Sequence, residues 1–153
     1  MLPEEMPAYF AEIDRLCAQN GLVVKAGLEV DFVPGVPALV PERWRAMVDY
    51  AMGTVHYIPE WNFASVFAND RQVEQYAPAD VYDAYFRLLA GAIDSGQFEG
   101  IAHVNLISRE QPAPPGYDLE SAYRQVLALA RARDVVVEIN TRSLVGERLC
   151  TPE

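Results

Sequence analysis

The sequence predicts an α/β fold in which parallel strands are joined by helices. Apolar segments rich in β-branched residues alternate along the chain with segments of helical periodicity. Such alternation is typical of parallel strands joined by right-handed crossovers. Each predicted strand also carries polar residues near its carboxyl end, which is where α/β sheets place their functional sites.

The predicted helices follow from apolar side chains spaced three and four residues apart. This spacing occurs in residues 3–20, 80–95 and 118–133. Asp118 is expected to cap the last of these helices, because its carboxylate can accept a backbone N–H of the first turn. A shorter helix is expected to begin near Pro41, whose fixed φ suits a helix start.

Four strands are predicted between the helices, at residues 23–32, 49–58, 100–107 and 135–141. Residues 60–79 show no clear periodicity. A stretch of that length inside a compact domain indicates a functional loop or lid.

Length, composition and charge exclude several classes of protein. The chain has 153 residues, 51% hydrophobic and 22% charged, which fits one globular domain. Its formal net charge of −10 would repel a nucleic-acid backbone. No run reaches the ~18 apolar residues of a membrane span, and no basic signal segment opens the chain, so a cytoplasmic protein is expected. The chain has only two cysteines, Cys17 and Cys150, which lie far apart in sequence and in no CxxC or Cys/His cluster, so they indicate neither a disulfide framework nor a thiolate zinc site.

The polar residues at the strand ends recur in register. They are Glu29 and Asp31, Thr54 and His56, His103 and Asn105, and Glu138 and Asn140. Because the carboxyl ends of parallel strands meet at one edge of a sheet, these side chains are expected to lie close together.

The two histidines indicate a metal site. One histidine in a strand is more often a packing residue, but His56 and His103 occupy equivalent strand ends next to the strand of Glu29. Two imidazoles and a carboxylate form a catalytic zinc shell, and the same set suits manganese or iron. A bound metal would lower the pKa of water towards neutrality and offset the charge of an anionic oxygen. The alternative is that both histidines only pack.

Three other residues allow a functional and a structural interpretation. Arg109 and Arg142 follow strand ends, where each could bind an anion through its guanidinium group or simply be solvated. Trp61 lies in the loop after His56 and would either line a substrate pocket or pack against the mouth of the fold.

Four sequence blocks resemble the PHP-family histidinol-phosphatases. They occur in the family's order, with Trp61 close behind the second, and they are 27–35 (GLEVDFVPG), 53–58 (GTVHYI), 101–105 (IAHVN) and 137–141 (VEINT). The resemblance covers nearly all of this chain but only the middle of the family's domain.

The resemblance implies a fold, an activity and residue roles. The family has a distorted (β/α)7 barrel with up to three metals, and it hydrolyses L-histidinol phosphate to L-histidinol and phosphate in histidine biosynthesis. By resemblance Glu29 bridges metals, while His56 and His103 complete the shell of one metal. Arg109 would meet the substrate phosphate, and Asn140 would line the substrate pocket.

The chain departs from the family in its missing metal ligands. The family's amino-terminal His-x-His strand, a further histidine strand and the carboxyl-terminal Asp-x-His strand have no counterpart, so residues 1–153 are expected to form a single partial barrel domain. The ligands present suffice for one Zn, Mn or Fe ion rather than three. Members tend to carry Asp where Asn105 stands, and Asn105 and Asp31 are expected to orient the metal ligands.

The leading hypothesis is therefore a metal-dependent phosphomonoesterase acting on a small phosphorylated metabolite. A non-catalytic remnant that binds metal or oligomerises, and a related phosphoesterase with another substrate, are the alternatives. A partial barrel exposes two strand edges, so a second copy or a partner chain is expected to close it. Otherwise the helices and the loop at 60–79 would fold over the open side, leaving a small open α/β sheet.

Overall fold

The computed structural model describes residues 3–21, 23–67 and 70–140. Five α-helices occur in these ranges: α1 (Met6–Asn20), α2 (Glu42–Arg45), α3 (Pro78–Asp94), α4 (Leu106–Glu110) and α5 (Leu119–Arg133). The three long helices and the short one after Pro41 are confirmed. Asp118 caps α5 as predicted, since its side chain accepts the backbone N–H of Ser121 at 3.0 Å.

The strands form one parallel sheet and one small hairpin. The sheet has the order β1 (Gly27–Asp31), β2 (Tyr50–Thr54), β5 (Gly100–Ile101) and β6 (Val136–Val137), and every pairing in it is parallel. The hairpin pairs β3 (Tyr57–Ile58) with β4 (Ala64–Ser65). The predicted class, α/β with four parallel strands and flanking helices, is confirmed.

The first two strands are shorter than the sequence predicts. The segment 23–32 is a strand only from Gly27, and Val23 is 86% exposed, so it has no neighbouring strand or core to pack against. The segment 49–58 divides into β2 and β3, because the chain turns at Val55 and His56 and enters the hairpin.

The prediction of a strand over 100–107 is wrong beyond Ile101. His103 has a positive φ of 27°, which ends the extended conformation. The backbone N–H of Leu106 then donates to the His103 carbonyl at 2.8 Å, and α4 begins. The apolar residues that resemble a strand, Leu106 and Ile107, are instead fully buried in α4.

The last strand and the loop at 60–79 also differ from the prediction. Within the predicted strand 135–141, only Val136–Val137 forms β6, and residue 141 lies outside the described residues. The loop holds short ordered elements rather than none: the 3-10 turns Pro59–Trp61 and Val73–Gln75, and β4.

One face of the sheet packs against α3 and α5. Ladder partners such as Leu28 and Ala51 share this face and join the core with the buried side chains of α3, among them Leu88 and Leu89. Alternation along the strands sends Glu29, Asp31 and Thr54 to the opposite face. The polar residues therefore lie on the side of the sheet away from these two helices.

Helix α1 reaches the outer edge of β1. The Tyr9 hydroxyl donates to the carbonyl of Gly27 at 3.0 Å and lies 3.3 Å from its backbone nitrogen. In the described part of the chain, no helix is both long and apolar enough to traverse a bilayer.

Candidate metal centre

Glu29, His56 and His103 converge at the carboxyl edge of the parallel sheet. Glu29 lies in β1, while each histidine lies two residues beyond the end of its strand, β2 or β5. His103 Nε2 is 3.2 Å and His56 Nε2 is 3.6 Å from the same Glu29 oxygen, Oε1. The three donor atoms lie within 4.8 Å of one another, and they can hold one metal ion.

Two of the three donor separations suit a small divalent ion. Zinc bonds to nitrogen and oxygen of ~2.0–2.1 Å in a tetrahedron place neighbouring ligand atoms roughly 3.3–3.4 Å apart. The two histidine–glutamate separations, 3.2 and 3.6 Å, bracket that value. The Glu29 side chain is 48% exposed, so the site opens towards solvent on one side.

Asp31 fixes His56 at two points. Its Oδ1 accepts the backbone N–H of His56 at 2.8 Å, and its Oδ2 lies 3.2 Å from the ring Nδ1. When Nδ1 carries the proton, it donates a hydrogen bond to Asp31. Nε2 then has a free lone pair, lies towards Glu29 and can bind a metal. The hydrogen bond to Asp31 raises the pKa of His56. The charges of Asp31 and Glu29 act in the same direction, whereas burial and the charge of Arg109 oppose it.

The backbone of His103 is held by Glu138 and Tyr85. The backbone N–H of His103 donates to Glu138 Oε2 at 2.7 Å, and its carbonyl accepts the Tyr85 hydroxyl at 3.2 Å. Together these bonds hold His103 at a positive φ, a backbone conformation that residues other than glycine rarely adopt. The His103 side chain is 11% exposed, and its Nε2 faces Glu29.

Two polar atoms near the cluster are buried without a hydrogen-bond partner among the described residues. They are Nδ1 of His103 and Oγ1 of Thr54. Thr54 ends β2 as the ladder partner of Asp31, so its hydroxyl lies on the polar side of the sheet. A neutral His103 that binds through Nε2 would carry its proton on Nδ1.

Phe67 stacks on a histidine of the cluster, and Arg109 acts on the same histidine through its charge. The Phe67 ring stacks on the His56 ring, with centroids 5.6 Å apart and planes at 14°. Arg109 lies in α4 with a side chain that is 19% exposed, and its guanidinium lies 3.0 Å from Glu110. Its positive charge lowers the pKa of His56, and its role in meeting a substrate anion stays a prediction.

Four other residues are predicted to contact the substrate or to orient the metal ligands. Trp61 stacks on Tyr76 with centroids 3.8 Å apart and packs against the core. Asn105 precedes α4 and makes no side-chain capping bond. Asn140 follows β6 by three residues, and Arg142 lies outside the described residues. Their assignment to the substrate or to ligand orientation stays a prediction.

The sequence alone indicates no role for Glu138 or Phe67. Glu138 occurs in the strand-end pattern of polar residues, so a signal existed, but nothing in that pattern shows that its carboxylate binds a backbone amide. Phe67 lies in the segment without periodicity, where contact with His56 depends on the fold of the hairpin.

Comparisons with known proteins find histidinol-phosphatases. No protein-family model matches the chain. A probable histidinol-phosphatase of Deinococcus radiodurans is 37% identical over 110 residues, which are 67% of this chain and 40% of that protein. The histidinol phosphate phosphatase of Lactococcus lactis subsp. lactis, crystallised with zinc, L-histidinol and phosphate, superposes with a TM-score of 0.67 at 18% identity.

Both matches include most of this chain but a smaller share of the other protein. The superposition includes 92% of this chain but 56% of the Lactococcus protein, and at this identity it shows a common fold. This chain thus spans 40% of the Deinococcus protein and 56% of the Lactococcus protein. The resemblance to histidinol-phosphatases that the four sequence blocks predict is confirmed, for part of such a protein.

Proposed function

We propose that this chain takes part in the metal-dependent hydrolysis of a phosphate monoester, with L-histidinol phosphate as the substrate and L-histidinol and phosphate as the products. This reaction would place it in histidine biosynthesis, in the cytoplasm. The observation that carries the proposal is the convergence of Glu29, His56 and His103 on one point, in a chain that is 37% identical over 110 residues to a probable histidinol-phosphatase.

In this proposal Glu29, His56 and His103 hold one divalent ion. When bound, such an ion lowers the pKa of coordinated water and offsets charge on a phosphate oxygen. Asp31 keeps the His56 ring in the orientation that directs Nε2 at the ion. Arg109, whose charge already acts on His56, offsets further phosphate charge.

Zinc is the first ion to test, with manganese and iron next. Two imidazoles and one carboxylate are a frequent catalytic zinc set and leave a coordination position open. The likeness to a phosphatase crystallised with zinc supports the same choice. Because the chain has a formal net charge of −10, an anionic substrate needs local positive charge, which the ion and Arg109 would provide.

The direct test is phosphate release from L-histidinol phosphate by purified protein loaded with zinc or manganese. Release that depends on metal and disappears in His103→Ala supports the proposal. Arg109→Lys serves as a milder variant. It keeps the positive charge but loses the ability to bind phosphate in a bidentate manner, and it is expected to raise KM. A panel of other phosphate monoesters tests the alternative of a related phosphoesterase with a different substrate.

A non-catalytic metal-binding module is the second candidate. Two observations favour it: the described residues offer one such donor group, and the chain spans 40% of its Deinococcus relative. Folded, zinc-loaded protein that releases no phosphate from histidinol phosphate or from an aryl phosphate would select this alternative.

We also propose that residues 1–153 are part of a barrel domain that a second copy or a partner chain completes. Its support is the sheet order, in which β1 and β6 are outer strands and Tyr9 bonds the edge of β1 only at Gly27 among the described contacts. Light scattering at micromolar concentration tests the homo-oligomer, and a strictly monomeric species would exclude it.

A further inference from the structure

Carboxylates bind backbone amides at both ends of the parallel sheet. At the amino end, Asp49 accepts the N–H of Ala26 at 2.8 Å and Glu99 accepts the N–H of Ala51 at 2.7 Å. At the carboxyl end, the amides bound in this way belong to the two histidines of the cluster. Glu138 binds that of His103, and no role follows for Glu138 from the proposed chemistry.

The Glu138 bond replaces a bond of the strand ladder. The backbone N–H of Glu138 donates to the carbonyl of Ile101 at 2.9 Å, as in a regular parallel pair. The next bond of such a ladder would run from the N–H of His103 to the backbone carbonyl of Glu138. It runs instead to the side-chain oxygen Oε2, at 2.7 Å.

This substitution lets the chain leave the sheet at His103. A carboxylate at the end of a side chain can follow an amide that has turned away from the strand, whereas a backbone carbonyl is fixed in the ladder. The chain changes direction directly after this amide, because the φ of 27° at His103 turns it from β5 towards α4. The same turn places His103 Nε2 3.2 Å from Glu29 Oε1.

We propose that Glu138 is a positioning residue, which holds the backbone of His103 in its turned conformation and so directs the imidazole at Glu29. Glu138 touches neither metal nor substrate in this role. The expected consequence, a higher metal affinity, rests on the proposed metal site. The positioning of His103 by Glu138 is also present in the metal-free protein. That difference allows the two to be tested apart.

The test compares Glu138→Ala and Glu138→Gln with Glu99→Ala as the matched control. Glu99→Ala removes the same kind of bond, from a carboxylate to a backbone N–H, but at the opposite end of the sheet, together with the ion pair to Arg45. Hydrogen exchange of the His103 amide and the NMR signals of its ring are measured in metal-free protein. Zinc affinity is then measured by calorimetry.

We expect Glu138→Ala to speed exchange of the His103 amide, shift its ring signals and weaken zinc binding by about 10–100-fold. Glu138→Gln keeps an acceptor oxygen and should restore most of the protection and affinity, and it also serves if the alanine variant does not fold. Glu99→Ala should leave all three measurements close to those of the unaltered protein.

Two outcomes would overturn the inference. One is unchanged exchange and ring signals of His103 in Glu138→Ala, even if zinc affinity falls, because the carboxylate would then act through charge alone. The other is an equal effect of Glu99→Ala, which would indicate general loss of sheet stability. If the unaltered protein binds no zinc, the proposed function fails, while the exchange and ring signals still decide the role of Glu138.

Discussion

Asp31 and His56 are joined at two points, through the backbone N–H of His56 at 2.8 Å and through its ring Nδ1 at 3.2 Å. One carboxylate thus sets both the place where the chain turns after β2 and the orientation of the imidazole. Glu138 binds His103 through the backbone N–H, and the ring Nδ1 of that histidine is buried without a hydrogen-bond partner among the described residues. The two histidines are therefore held by different means.

Replacing Asp31 should weaken metal binding. Asp31→Ala removes both contacts with His56, so zinc affinity is expected to fall by about 10–100-fold, as calorimetry would measure. The pKa of His56 should fall as well, because the hydrogen bond to Asp31 is the largest cause of its elevation. Asp49→Ala is the control, since it removes a carboxylate from the backbone of Ala26 at the other end of the sheet. Equal affinities in the two variants would contradict this account of Asp31.

Metal affinity should depend on pH through His56. Its pKa lies above the ordinary value, so protons compete with the metal for Nε2 at a higher pH than at a free histidine of pKa ~6.5. Zinc affinity, measured from about pH 8 down to about pH 5, is expected to begin falling at a pH above the free histidine pKa of ~6.5. Constant zinc affinity across this pH range would contradict the competition between protons and zinc at His56.

The stability of the metal-free protein should depend on pH in the opposite sense, falling as the pH rises. A histidine whose folded pKa exceeds its unfolded pKa stabilises the fold fully below the unfolded value, and this contribution is lost as pH rises through the folded pKa. Thermal melts of metal-free protein should show this loss for the unaltered chain and a smaller one for His56→Ala.

Tyr85→Phe should destabilise the backbone around His103. The buried Tyr85 hydroxyl lies 3.2 Å from the carbonyls of both His103 and Val104. Its removal leaves a buried acceptor without this donor, and we expect the free energy of unfolding to fall by about 1–3 kcal/mol in urea denaturation. Tyr50→Phe, at an exposed side chain, is the control and should change stability little. Similar losses in both variants would count against a specific role of Tyr85.

Gly53→Ala should destabilise the sheet by overpacking. A Cβ at Gly53 would lie 2.5 Å from Cδ2 of Phe98, a side chain that is itself buried in the core. We expect a loss of about 1–3 kcal/mol in the free energy of unfolding. Phe98→Leu in the same chain should recover part of it, so that the double variant is more stable than the sum of the single losses predicts. Strict additivity would show that the Phe98 ring is not the obstacle.

Much of this architecture follows from local patterns. The helices α1, α3 and α5 are predicted because their apolar spacing and end residues act within a few positions, as Asp118 does at the start of α5. The convergence of Glu29, His56 and His103 is predicted because parallel strands bring their carboxyl ends to one edge.

The strand ends could not be predicted, because they depend on contacts between residues far apart in sequence. His103 leaves the strand conformation where the Glu138 side chain, 35 residues away, binds its amide. The residues that follow, Leu106 and Ile107, are apolar whether they form a strand or the buried side of α4, so periodicity cannot separate the two. The stacking of Phe67 on His56 likewise requires the hairpin of β3 and β4 to be known first.

The central claim is that Glu29, His56 and His103 hold one metal ion. Elemental analysis of the purified protein after incubation with zinc and removal of the excess tests it most directly, with His56→Ala and His103→Ala prepared in parallel. The account predicts about one equivalent of zinc in the unaltered protein and a large loss in both variants. Folded, unaltered protein without zinc, or the same zinc content in all three proteins, would contradict it.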